Sequence, residues 1–135
     1  MVNIQSEQQA LTLLNDTTQD VFGREAAIHY LHRYPTQSNL TRLVQALEDD
    51  EFGVRWTAAV VLAQVGDDAL PPLLHALTEQ HESTWLREGA HHVLHYSSGD
   101  KAREKTGALQ KALRGPAAEM ATMHEAAKLL NTLSK

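Results

Sequence analysis

Cysteine is absent from all 135 residues, so disulfides, thiolate metal sites and a cysteine nucleophile are excluded. That usage suits a reducing cytosol, and a cytoplasmic location is the expectation. No apolar run approaches the roughly 18 residues a spanning helix needs. The start MVNIQSEQQA has neither the basic nor the apolar region of a signal peptide, so the chain reads as soluble with no membrane partner. Strand signals are almost missing, because the β-branched pair Val60–Val61 sits inside a helix-period segment. Basic residues are scarce over most of the length. Residues 1–96 hold 5 Lys+Arg against 13 Asp+Glu, a net of −8, whereas residues 97–135 hold 7 against 4, a net of +3. The overall charge of −5 argues against general nucleic-acid binding, which rests on phosphate neutralisation.

What is present is repetition. The segments GREAAIHYL (23–31), VRWTAAVVL (54–62) and LREGAHHVL (86–94) align on an arginine, with small or apolar residues three, four and seven positions later. Those triplets are Ala27, Ile28, Leu31; Ala58, Ala59, Leu62; and Ala90, His91, Leu94, the spacing of one helix face. Arg24, Arg55 and Arg87 lie 31 and 32 residues apart, and Met123 takes the equivalent place in a fourth segment with Ala126, Ala127 and Leu130. After each of the first two segments comes a second helical pattern, Leu40, Leu43, Val44, Leu47 and then Leu70, Leu73, Leu74, Leu77. A looser third pattern runs through Thr106, Leu109, Gln110 and Leu113. Four A-type and three B-type helices are therefore expected. The fold class is all-α, one domain over 1–135, with repeats at about 20–50, 51–82 and 83–115 and a half-repeat at 116–135.

Local punctuation supports this plan. Asp20, Asp50 and Ser83 stand where they would cap A helices, and Ser38, Asp68 and Asp100 where they would cap B helices. Gly66, Gly99 and Gly115–Pro116 read as stops. Ser6 and Gln9 form a candidate capping box for an N-terminal helix that buries Ala10, Leu11 and Leu14 and closes the stack.

The stretch DEFGVRWTAAVVLAQVGDDALPPLLHAL, residues 50–77, resembles a HEAT repeat: an acidic turn, a Val-Arg pair, two alanines, a leucine, a Val-Gly stop and an Asp-capped second helix. The first repeat has Tyr34-Pro35 in place of the Val-Gly stop, and Ser97-Ser98-Gly99 lengthens the third. The resemblance implies an α-α superhelix of about three helix pairs, with B helices lining the concave side. It implies little about chemistry.

Stacking the aligned B-helix positions gives three columns: Thr41, Pro71, Gly107; Gln45, His75, Lys111; and Glu48, Thr78, Arg114. This stripe runs from acidic to basic and would orient a partner of opposite charge order. The eight histidines supply a second pattern. Glu25, His29, His32 and Glu88, His92, His95 each form Glu-x-x-x-His-x-x-His on one helix face, weak candidates for a divalent metal. The two sets belong to the first and third repeats, with Trp56, Val60 and Ala63 at the matching positions between them, so they are not expected to share an ion. His91 replaces an apolar residue on the core face and reads as a buried neutral histidine with a hydrogen-bond partner. Trp56 occupies an outward column with Glu25, Glu88 and His124, either packed against a neighbouring turn or anchoring a partner or a second copy of the chain.

Three enzyme groups with this kind of repeat bear comparison. Met123-His124-Glu125-Ala126-Ala127 resembles the His-Glu motif of deoxyhypusine hydroxylase, but the aligned pairs Glu25-Ala26, Trp56-Thr57 and Glu88-Gly89 break it, so the di-iron set is absent. Phycocyanobilin lyases share the repeat length, without any residue here that identifies a bilin site. HEAT-like DNA glycosylases carry basic and aromatic residues together, whereas Lys101, Arg103, Lys105, Lys111 and Arg114 fall in one B segment without aromatics. The expectation is a non-catalytic scaffold that binds another protein on its B-helix face, with no cofactor and with homodimerisation through the C-terminal end left open. The alternative is a small accessory enzyme acting on a protein-bound cofactor.

Overall fold

The computed structural model describes residues 3–133, so residues 1–2 and 134–135 of the expected domain lie outside it. The described residues form nine α-helices and no strand: α1 (Glu7–Asn15), α2 (Val21–His32), α3 (Gln37–Gln45), α4 (Phe52–Val65), α5 (Leu70–Glu79), α6 (Thr84–Tyr96), α7 (Asp100–Lys105), α8 (Gly107–Arg114) and α9 (Ala118–Leu133). The chain is all-α, as its periodicity requires. Two short 3₁₀ turns, Ala46–Glu48 and Gly66–Ala69, link α3 to α4 and α4 to α5.

Side-chain caps open several helices. Ser6 accepts from the Gln9 amide, Asp20 from Gly23, Thr36 from Asn39 and Ser83 from Leu86. The capping box at α1 closes one residue early, because Gln9 Oε1 accepts from the Gln5 amide at 2.9 Å. Thr36 replaces Ser38 as the α3 cap. Asp50 and Asp68 cap nothing, since α4 starts after Glu51 and the Gly66–Ala69 turn runs directly into α5. Asp100 is already inside α7, and the cap comes from Asp67, whose carboxylate accepts from the Lys101 amide at 3.2 Å and the Ala102 amide at 3.0 Å. Gly66 ends α4 with φ of 83°, a left-handed conformation that glycine adopts without Cβ strain.

The helices pack in two rows. α1, α2, α4, α6 and α8 follow one another in the first; α3, α5 and α9 do so in the second. Leu14, Ile28, Leu31, Leu43, Leu62, Leu73, Leu74 and Leu86 are completely buried between them, which makes one continuous core. Two features depart from a regular third repeat. The expected B helix from 100 to 114 breaks at Thr106, which is buried and hydrogen-bonds the Ala102 carbonyl, so α7 and α8 are separate. α9 then lies against both α5 and α8 and supplies the next member of the second row after α5.

The repeat arginines act alike, each reaching back to a carbonyl of the segment preceding its own helix. Arg24 donates to the Leu14 carbonyl from Nε at 3.0 Å and Nη2 at 2.8 Å, Arg55 to those of Asp49 at 2.8 Å and Asp50 at 3.2 Å, and Arg87 to that of His81. These bonds satisfy backbone oxygens at the turns where one repeat gives way to the next.

Candidate functional site

The most developed surface feature is an aromatic cleft between α4 and α6. Because α4 is flanked by α2 and α6, Val54, Ala58, Val61 and Leu62 are wholly buried. Phe52 and Trp56 project from the remaining face and stay 66% and 51% exposed. Across the gap α6 contributes Trp85, Glu88, Gly89 and His92, while Leu47 and Ala59 form the floor of a cavity of about 270 Å³. A Cβ on Gly89 would stand 3.0 Å from Leu47 Cδ2, so the small residue lets α6 approach the Ala46–Glu48 turn and keeps this floor low.

The rings are organised rather than scattered. Phe52 stacks on Trp56 with centroids 6.3 Å apart and an interplanar angle of 20°, and Trp56 meets His92 at 4.8 Å. His92 continues to Tyr96 at 4.7 Å. The Arg55 guanidinium lies 4.1 Å from the Trp85 ring centroid and 5.6 Å from that of Phe52, a cation–π bridge between the walls. Burial and then the neighbouring His95 hold the His92 imidazole below its ordinary pKa, so at neutral pH the ring is uncharged. The result is a half-open, largely apolar slot with a charged rim.

Trp56 packs against Phe52 of its own helix and His92 of α6, not against a turn, and stays 51% exposed. The other sequence-identified residues fall elsewhere. Thr41, Gln45 and His75 meet in a groove of about 410 Å³ between α3 and α5, together with Pro71 and Pro72. Thr78 turns its hydroxyl onto the His75 carbonyl at 2.7 Å, and Glu48 is half-buried in the turn after α3. Lys111 and Arg114 are exposed on α8, separated from His75 because α9 intervenes between α5 and α8, so the three columns do not run as one stripe.

The two Glu-His-His sets do not assemble. Glu25 accepts from the Thr57 hydroxyl at 2.7 Å, His29 lines a shallow hollow with Tyr30 and Arg33, and His32 is half-buried at the end of α2. His92 is taken up by Trp56 and Tyr96, and His95 stacks on His91 at 5.7 Å. Among the described residues no three His, Asp or Glu side chains converge as a metal site. His91 differs from expectation: it is half-buried, makes no hydrogen bond to a described residue, and lines a second cleft beside Arg114. The core there is closed by Ala90 and Leu94 instead.

Sequence reasoning missed Phe52, Trp85 and the second role of Arg55. A signal was present: each of α2, α4 and α6 has one large aromatic in its first turn, Phe22, Phe52 and Trp85, and all three are exposed.

Two rows of packed helices, a shared core and repeat-spaced arginines define an α-solenoid, a class whose long open faces serve binding. The family model for HEAT repeats matches residues 8–95, and the chain belongs to that family. No curated protein and no solved structure matches it. None of the described helices is long and apolar enough to cross a membrane.

Proposed function

We propose that this chain is a non-catalytic module that binds another protein, and that the partner docks on the face carried by the A-type helices, with Trp56 at its centre. The observation that carries this reading is the exposed ring series Phe52, Trp56 and Trp85 around an apolar floor. Large aromatics with free faces are the side chains that contribute most at protein interfaces, since they bring area with little rotamer entropy. Residues 1–96, which include the entire cleft, carry a net charge of −8. The complementary occupant is a partner segment that inserts an apolar or aromatic side chain between Trp56 and Trp85 and bears Lys or Arg on its flanks. Such flanking charges steer the encounter, and the inserted side chain holds it.

The test is selection of displayed random peptides on the purified protein, with counter-selection on a Trp56→Ala, Trp85→Ala double variant. Enrichment of peptides that combine a hydrophobic residue with basic neighbours, bound at least about tenfold more weakly by Trp56→Ala, is the expected result. Peptides that are acidic, or that bind the double variant equally well, overturn the assignment. Sedimentation of the free protein runs alongside, and a dimer dissociated by Trp56→Ala would identify a second copy as the occupant in place of a partner.

A further inference from the structure

A second cleft lies on the adjoining face of α6 and shares Glu88 with the first, where that helix meets α8 and the turn into α9. Its volume is about 500 Å³, and it is lined by Thr84, Arg87, Glu88, His91, Leu113, Arg114, Gly115 and Ala118. The Arg87 guanidinium is held in place by the His81 carbonyl and by Thr84 Oγ1 at 3.5 Å, which leaves further N–H donors free. The side chain of Arg114, the last residue of α8, forms no hydrogen bond or ion pair with any described residue. Gly115 and Ala118 bring the start of the 16-residue helix α9 to the same rim, and its dipole has the same sign as the two guanidiniums. Glu88 is the one carboxylate of the lining.

We propose that this cleft binds the phosphate group of a phosphorylated ligand, with Arg87 and Arg114 as the charged donors, the Thr84 hydroxyl as a neutral donor and Glu88 as an opposing charge that keeps the affinity moderate. Two arginines lining one cavity can match a tetrahedral oxyanion by paired N–H···O bonds, and the volume leaves room for the group attached to it. His91 sits among them uncharged, because burial and then Arg114, His95 and His92 hold its pKa below 6.5. A bound dianion beside Arg114 reverses that local field and lets the imidazole take up a proton.

Titration with inorganic phosphate at constant ionic strength, followed by amide and imidazole NMR signals, tests the site. Saturable shifts confined to the signals of Thr84, Arg87, Glu88, His91, Arg114, Gly115 and Ala118 are expected, with a rise in the His91 titration midpoint. Arg114→Gln weakens the affinity about tenfold, and Glu88→Gln strengthens it by about fivefold. Both positions are exposed, so neither change threatens the fold. Shifts that fail to saturate, that chloride reproduces, or that persist unchanged in Arg114→Gln overturn the proposal. Glycerol 3-phosphate and N-acetyl-phosphoserine amide, titrated in parallel, distinguish a free phosphate ester from a phosphorylated side chain by which of them binds more tightly.

Discussion

Arg24 and Asp49, 25 residues apart, are joined by two hydrogen bonds, Nη1 to Oδ1 at 2.9 Å and Nη2 to Oδ2 at 2.5 Å. Arg24 is 2% exposed and also carries the Leu14 carbonyl, so one side chain ties the end of α1 to the turn before α4. Replacing it by Met leaves the Leu14 carbonyl without a side-chain donor and the largely buried Asp49 carboxylate with only the Glu51 amide, at 2.9 Å. Unfolding in urea should show Arg24→Met to be destabilised by about 3 kcal/mol, and Arg24→Lys by nearly as much, because an ammonium cannot reach both acceptors with the same fork.

The same pair gives the molecule an acid sensitivity of known sign. Burial acts to raise the Asp49 pKa, but the hydrogen bonds from Arg24 and the Glu51 amide, followed by the Arg24 and Arg42 charges, outweigh it and hold the carboxyl below 3.8. A carboxylate whose folded pKa is depressed contributes stability that is complete above its unfolded value and is lost as pH falls through the folded one. Urea midpoints measured between about pH 6 and 3 should drop for the natural chain at the acid end. In Arg24→Met that share of the slope should be absent.

The spacing of Arg24, Arg55 and Arg87 marked the helices α2, α4 and α6, because a helix exposes its period directly. What each arginine holds was not legible, since Leu14 ends a neighbouring helix and Asp49 and His81 lie in connections, and their positions depend on the stack. The position of α9 was hidden for a related reason. Ala126 and Leu130 have the same spacing as a residue pair in either row, and the structure packs α9 against α5. That choice separates Lys111 and Arg114 from His75. Trp56 was legible as an outlier in an outward column, whereas its partners Phe52, Trp85 and His92 come from two helices and required the fold.

Asp67 caps α7 from 34 residues away and does so through a gap that only glycine leaves open. A Cβ on Gly99 would fall 2.6 Å from the Asp67 amide nitrogen and closer still to its carboxylate. Backbone cannot move aside as a flexible side chain can. Gly99→Ala should therefore cost more than Asp67→Ala, for which the loss of a cap predicts about 1 kcal/mol. Hydrogen exchange offers the sharper readout: in both variants the amides of Lys101 and Ala102 should lose protection while those of α4 keep theirs.

His92 reports on the aromatic cleft. It lies between Trp56 and Tyr96, and its pKa is lowered from 6.5 by burial and then by His95. A histidine whose folded pKa is depressed adds no pH dependence above about 6.5; below that the unfolded chain binds the proton more readily, and stability falls until the folded pKa is passed. NMR titration should therefore place the His92 midpoint below 6.5, and protonation should quench the emission of the adjacent Trp56 indole over the same range. His92→Gln should abolish that step in fluorescence and flatten the corresponding part of the stability curve. A peptide seated between Trp56 and Trp85 should bury the imidazole further and move its midpoint lower still. A midpoint unchanged by a peptide that requires Trp56 would place the peptide on the outer face of the indole, away from His92.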